Sequence, residues 1–309
     1  MLFLGTPDFA ATVLSSLLTS SHQIVGVMTQ PPRPTGRGLQ LSDPPAARLA
    51  RTHELPVLQP KKLHRPETLD ALRALDPEVI VTAAFGRILR PSLLALPPRG
   101  CWNVHTSLLP RHRGAAPVPA AILAGDAWTG VTLFELDPDM DTGPMLAQRM
   151  TPIDPHETAG ELTSRLARIG GQLLVETLAA EEQSPLARVP QPEHGATYAT
   201  MMQKEDGRIP WNRPVEQVQR WIRAVTPWPG AFTLANGRRL IVRSATALHT
   251  MPSGAPPGTI LGVGEGIDVA CLPGAIRLTQ VQQEGKRAQP AEAWARGARM
   301  AAGGALGRA

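Results

Sequence analysis

Cysteine, lysine and aromatic residues are scarce in this chain. Among 309 residues there are two cysteines, one tyrosine and five phenylalanines, and aromatics make up 4% of the whole. Cys101 and Cys271 stand far apart without paired spacing, which excludes a disulfide framework and a cysteine-built zinc site. Both lie in apolar runs and read as buried thiols of a reducing compartment. No segment approaches the roughly 20 consecutive apolar residues that a membrane-crossing helix needs. The N-terminal residues show neither a charged leader nor an extended apolar core. A soluble cytoplasmic protein without a membrane partner is expected. The first turn also lacks G-x-G-x-x-G, and with it the fingerprint of a nicotinamide or flavin site.

Charge is unevenly spread. Residues 1–199 carry 17 Lys+Arg against 19 Asp+Glu, whereas residues 200–309 carry 14 against 7, so the whole-chain +5 conceals a basic C-terminal part. Such a segment suits a polyanionic partner, because neutralised phosphates release counterions. Compositional drift offers a plainer account, since 27 of the 31 basic residues are arginine.

The N-terminal half reads as alternating strands and helices. Met1 to Leu4 forms an apolar strand, Gly5-Thr6-Pro7-Asp8 a tight turn, and Phe9, Val13, Leu14, Leu17 and Leu18 recur at helical spacing. Strands are expected over Gln23–Met28 and Val79–Ala84, with a helix over Pro66–Leu75 between them, which argues a parallel sheet with right-handed crossovers. Thr158 with Glu161 forms a capping-box pattern ahead of a long amphipathic helix that runs to Glu182. Ser184 to Glu193 reads as a linker, and Trp211 to Arg223 as a further helix. Short strands punctuated by Gly and Pro follow at Ala231–Leu234, Arg239–Ala245, Gly258–Val263, Ile267–Ala270 and Ala275–Gln283, the pattern of a small barrel. The expected organisation is therefore a catalytic domain over 1–183, a linker over 184–199 and a basic β domain over 200–309.

One stretch concentrates the chemistry. In Asn103-Val104-His105-Thr106-Ser107-Leu108-Leu109-Pro110, the amide and the imidazole stand two apart at the end of an apolar strand, so they point to the same side. Either residue alone would more often be a turn or cap residue. Downstream, Asp137-Pro138-Asp139-Met140-Asp141-Thr142-Gly143 supplies carboxylates, and Gly143 allows a tight fold that returns Asp141 toward His105. An acyl centre attacked by an amine needs a donor for the developing oxyanion, a proton acceptor and something to hold both. Asn103, His105 and Asp141 fit those roles without a metal. His112 reads as a surface or supporting residue, and Asp137 and Asp139 as turn formers.

These motifs, with Arg113-Gly114-Ala115-Ala116-Pro117 between them, resemble the 10-formyltetrahydrofolate-dependent formyltransferases. The opening Leu4 to Ala10, the segment Gln30 to Leu41, and Lys204 to Trp211 are similar to the branch whose acceptor is initiator methionyl-tRNA. The resemblance runs nearly end to end. It implies a Rossmann-like parallel-sheet formyltransferase domain followed by a small OB-like β-barrel, 10-formyltetrahydrofolate as co-substrate, no metal, and Asn103, His105 and Asp141 as catalytic residues. On that reading His105, as imidazolium, and the Asn103 amide stabilise the oxyanion, while Asp141 holds His105 charged and helps pass the amine's proton toward the leaving folate nitrogen. It also implies a pterin slot at Phe85, Gly86, Arg87, Ile88 and Leu89, with Ser107, Leu108, Leu109, Pro110 and Asp139 nearby. The Pro/Gly-rich insertion holding Arg33 and Arg37 would reach the tRNA acceptor stem, with Leu39 and Gln40 standing where the family often has lysines. Arg220, Arg223, Arg238, Arg239, Arg243, Lys286 and Arg287 are the candidate phosphate contacts of a barrel that binds nucleic acid through charge. A monomer is expected. The alternatives are a formyltransferase for a small amine such as a nucleotide sugar, and a non-catalytic RNA-binding protein.

Overall fold

The computed structural model describes residues 1–35, 40–248 and 254–307. The chain divides into two compact units, one of 1–117, 128–152 and 163–199, the other of 118–127, 153–162 and 200–309.

The first unit opens with β1 (Leu2–Gly5), whose four residues are all buried, and α1 (Asp8–Leu18), which turns Phe9, Ala10, Val13, Leu14 and Leu17 inward. Then come β2 (Gly26–Met28), the strands β3 (Arg33–Thr35) and β4 (Gln40–Ser42), α2 (Pro45–Thr52), β5 (Val57–Leu58), α3 (Pro66–Ala74), β6 (Ile80–Ala83), α4 (Pro91–Leu94) and β7 (Cys101–His105). After β8 (Arg113–Gly114) and α5 (Pro117–Ala124), the long strands β9 (Trp128–Glu135) and β10 (Met145–Pro152) precede α6 (Ala159–Gln183) and β11 (Tyr198–Ala199). The main sheet runs β10-β9-β7-β6-β1-β2-β5. Its β7 to β5 members are parallel, and β9 and β10 add an antiparallel edge. Parallel strands buried on both faces must be apolar throughout, and Leu2, Phe3, Leu4, Ile80 and Val81 meet that demand.

Strand order reverses between β1 and β6, which opens a crevice at their carboxyl ends. That edge carries Thr6, Ala84 and, one strand further, His105.

Three expectations are corrected. The strand expected over Gln23–Met28 is only Gly26–Met28. The insertion after β2 is not wholly irregular, because β3 and β4 pair antiparallel. The helix expected from Trp211 starts at Val215 instead, behind Pro214 as its N-cap, and Trp211 enters the core with its indole N–H on Thr233 Oγ1 at 3.1 Å. Sequence reading also missed β10, whose half-buried and exposed residues suit a sheet edge.

In the second unit α7 (Val215–Ala224) precedes β12 (Phe232–Ala235), β13 (Arg238–Leu248), β14 (Ile260–Val263), β15 (Ile267–Ala270), β16 (Ala275–Gln283), β17 (Gln289–Pro290) and α8 (Ala291–Gly297). The strands form a curled antiparallel sheet, a half-barrel in the order β12-β13-β16-β15-β14, with β17 on β16. Residues 303–307 run along its open side. Gly303 N–H donates to Ile260 O at 2.9 Å, Leu306 N–H to Gly258 O at 2.8 Å and Gly307 N–H to Leu234 O at 2.7 Å. Leu240, Val242, Ile267, Val269, Ile276 and Leu278 fill the concave side with Val218 and Ile222 of α7.

The capping box ahead of α6 is present: Thr158 N–H donates to Glu161 Oε2 at 2.8 Å and Glu161 N–H to Thr158 Oγ1 at 3.3 Å. Thr158→Ala is expected to lower the unfolding free energy by about 1 kcal/mol. An unchanged denaturant midpoint with unchanged slope would show that this cap contributes nothing.

Candidate active site

β7 ends at His105, and its burial explains much of the chemistry. The ring is 5% exposed and packs edge-on against Phe134 at 6.1 Å between centroids. Its Nε2 lies 3.0 Å from the His112 carbonyl oxygen. A carbonyl can only accept, so Nε2 carries the hydrogen and Nδ1 presents its lone pair. Asp141 Oδ2 stands 3.7 Å from Nδ1, near enough for charge attraction and too far for a hydrogen bond. Burial pushes the imidazole below its ordinary 6.5, with the nearby Asp141 carboxylate and the His112 carbonyl pulling the other way and the His112 ring adding to the fall. The net direction favours the neutral ring at rest.

Asp141 is held in place by backbone. Its Oδ2 accepts the Gly114 N–H at 2.7 Å, and its own φ of 55° lies in the left-handed region. That conformation costs a non-glycine residue about 1 kcal/mol, which the hydrogen bonds around the loop must offset. Gly143 is indispensable for close approach: a Cβ there would stand 1.8 Å from Glu135 O. Thr142 Oγ1 caps the turn on the Asp137 carboxylate at 2.7 Å.

Asn103 shares the His105 face of β7. Its Oδ1 accepts the Thr82 hydroxyl at 2.6 Å, which turns the amide NH2 outward as the remaining donor. Sequence reading missed Thr82, and also the pair that holds the following loop. Thr132 Oγ1 donates to Ser107 O at 2.7 Å and accepts Leu109 N–H at 3.1 Å, while Gln148 Nε2 donates to Leu109 O at 2.8 Å. None of these hydrogen bonds leaves a sequence signal, because each joins residues far apart in the chain.

The expected positions divide. Of the two readings of His112 the surface one is corrected and the supporting one stands: the residue is buried, with φ 59° and its N–H on Thr197 Oγ1 at 2.8 Å, and its carbonyl holds His105. Phe85 and Leu89 are buried in the hydrophobic core. Ser107 spends its hydroxyl on Arg111 O at 2.6 Å, and Leu109 is buried. Arg87 binds Pro60 O at 2.8 Å. What faces outward is Gly86, Ile88 and Asp139, with Leu108 and Pro110 half-buried. Among the described residues, the backbone N–H groups of Gly86, Arg87 and Ile88 have no protein partner. Free donors at a sheet's carboxyl edge fit the rim of a flat heteroaromatic ring.

The basic candidates also divide. Arg37 lies outside the described residues. Arg33 is exposed and bonded to Gln30. Arg223 is committed internally, donating to Glu157 O at 2.9 Å and Asp154 O at 3.3 Å, which removes it from the phosphate-facing set. Arg220 lies half-buried against Gly125, and Arg239 stacks on Phe232 at 3.9 Å. Arg238, Arg243, Lys286 and Arg287 are exposed, and Gln282 links Arg243 at 2.9 Å to Lys286 O at 2.7 Å, drawing those two cations into one patch.

Residues 1–178 match the formyl transferase family, and residues 201–299 match the formyl transferase C-terminal domain. The chain belongs to the formyl transferases. It is 45% identical to the methionyl-tRNA formyltransferase of Magnetococcus marinus, over 99% of this chain and 98% of that one, and 47% identical to that of Xylella fastidiosa, over 93% and 94%. Among solved structures of similar fold, HypX from Aquifex aeolicus in complex with tetrahydrofolic acid superposes with a TM-score of 0.66 at 18% identity over 95% of this chain. The chain spans 46% of HypX. The sugar 3N-formyl transferase WlaRD gives 0.67 at 16% identity, over 93% of this chain and 98% of that one. No helix of the described residues is long and apolar enough to cross a membrane, and no group of metal-ligating side chains is found among them.

A ring kept neutral by burial makes a testable statement. In NMR titration of the free protein, with His105 assigned by its loss in His105→Gln, the His105 midpoint is expected below 6.5. Below that pH the unfolded chain binds more protons than the folded one, so stability rises with pH through the window from the folded midpoint up to 6.5. A His105 midpoint above 7 would refute the neutral resting state.

Proposed function

We propose that this chain transfers the formyl group of 10-formyltetrahydrofolate to the α-amino group of methionyl-initiator tRNA, and that Asn103, His105 and Asp141 carry the reaction. The observation that carries this reading is the meeting of His105 and Asp141 at 3.7 Å, beside Asn103, in a chain 45% identical to a methionyl-tRNA formyltransferase over nearly its full length. Identity decides more than shared length: the sugar 3N-formyl transferase also spans 93% of this chain, but at 16% identity, and a small amine calls for no basic C-terminal unit.

When bound, the co-substrate supplies an activated formyl carbon on a nitrogen leaving group. The residues of the chain do the rest. The Asn103 amide donates to the formyl oxygen as negative charge develops, a role worth about 3 kcal/mol of barrier for one such donor. His105 Nδ1, free and neutral, takes the proton of the attacking amine. The imidazolium so formed is held on one side by the His112 carbonyl and on the other by the Asp141 carboxylate. Its proton then goes to the departing folate nitrogen. One C–N bond forms, one breaks and a single proton is carried across.

Burial recasts the part of His105. An imidazolium present from the outset would serve only as an oxyanion donor, whereas a neutral ring accepts the amine proton first. The slot at Gly86 and Ile88 is read as the pterin edge, with Leu108, Pro110 and Asp139 around it. The tRNA is read as engaging Arg33 and Arg37 of the insertion and Arg238, Arg243, Lys286 and Arg287 of the half-barrel, together with Arg220 and Arg239. The chain is read as a cytoplasmic monomer.

Incubating the protein with formyl-folate and charged initiator tRNA is expected to give formyl-methionine. Asn103→Ala, His105→Ala and Asp141→Ala are each expected to lower turnover by ~10²-fold or more, with tRNA affinity little changed. Near-full turnover in all three variants would sink the assignment. tRNA affinity should fall steeply with salt, and the slope of log K against log salt should flatten by about 1 for each phosphate-binding cation removed, as in Lys286→Ala or Arg243→Ala. A salt-independent affinity would point back to a small acceptor.

A further inference from the structure

Gln191 belongs to a polar stretch after α6 that no motif marks, yet it is buried against the site. Its Nε2 donates to Asp141 O and to Gly143 O, each at 2.8 Å. Its Oε1 accepts the Arg113 Nε–H at 3.0 Å. Both ends of one amide are therefore spent on the loop that bears Asp141 and on the strand that faces it.

The geometry explains why such a brace is needed. Asp141 sits in the left-handed region, and Gly143 is pressed against Glu135 O. The two carbonyls flanking Thr142 point the same way and are gathered by a single NH2. From the other side, Gly114 N–H holds the Asp141 carboxylate at 2.7 Å. Arg113 and Gly114 are consecutive, so the dipeptide grips Asp141 twice, directly at the carboxylate and through Gln191 at the main chain. Arg113 is itself 1% exposed, with Tyr198 Oη 3.5 Å from its Nη1 and the Glu193 carboxylate 3.9 Å from its Nη2. Gln191 is the neutral link that lets this buried cation act on the acidic loop without approaching the catalytic carboxylate.

We infer that Gln191 is a positioning residue, holding Asp141 at its working distance from His105 without touching either substrate. The inference rests on the catalytic reading of the His105 and Asp141 pair. The charged or titratable groups facing His105 are Asp141 and His112. If Asp141 drifts away, the attraction that favours the imidazolium weakens and the ring becomes a poorer proton acceptor.

Two variants of the full chain test it. Gln191→Leu keeps the volume and removes every hydrogen bond. Gln191→Glu keeps an acceptor for Arg113 and loses both donations to the loop. In each, kcat is expected to fall 10-fold or more with KM for both substrates within 2-fold; the His105 midpoint by NMR is expected to move further down in Gln191→Leu and to change in Gln191→Glu, where the added carboxylate pulls it upward. Should Gln191→Leu fail to fold, Gln191→Glu, supported by Arg113, carries the test. Full turnover and an unmoved His105 midpoint in folded Gln191→Glu would overturn the inference, since only the bond to Arg113 would then matter. A shifted midpoint with full turnover would support the positioning and count against the catalytic reading of the pair.

Discussion

The hydrogen bond from His105 Nε2 to the His112 carbonyl sets the chemistry of this site. It decides which ring nitrogen carries a hydrogen and so which one is free to receive a proton. It also ties the end of β7 to a residue seven positions on, closing the loop between them. Because His105 is buried, the ring has few ways to become charged, and the neighbours that favour the charge are a carbonyl and a carboxylate fixed by backbone. A base prepared in this way is idle until an amine arrives with a proton to lose.

The fold delivers that arrangement through sheet topology. Parallel strands bring their carboxyl ends to one edge, so Thr6, Ala84 and His105 are neighbours although they are spread over a hundred residues. The antiparallel pair β9 and β10 then returns the chain with the acidic loop between its strands. Left-handed backbone at Ala84, His112 and Asp141 clusters at this edge, where φ is 46°, 59° and 55°. Such clustering is the usual mark of a functional site, with the strain offset by surrounding contacts.

Much of this was legible in the chain. Apolar runs marked the strands, Thr158 and Glu161 marked the start of the long helix, and the spacing of Asn103 and His105 placed them on one face. What escaped notice had a common cause. Thr82, Thr132, Gln148 and Gln191 act through individual hydrogen bonds to residues 16 to 78 positions away, and a polar side chain advertises no such partner in its own neighbourhood. The fate of Arg223 was hidden for the same reason, since a guanidinium bound to two carbonyls has the same sequence appearance as one facing solvent. At the pterin edge the sequence is ambiguous for a different reason. The apolar character of Phe85 and Leu89 suits a slot wall and core packing equally, and both side chains lie in the core.

The last residues described, 303–307, lie along the open side of the half-barrel and bond to Ile260, Gly258 and Leu234. They do so in place of a strand. An open sheet of this kind ends in two rows of unpaired backbone groups, which readily template pairing with another chain. Here the polypeptide shields both rims with its own tail, and Leu306, buried beneath it, acts as the stopper. Trimming that segment would therefore threaten solubility before catalysis, by uncovering β edges.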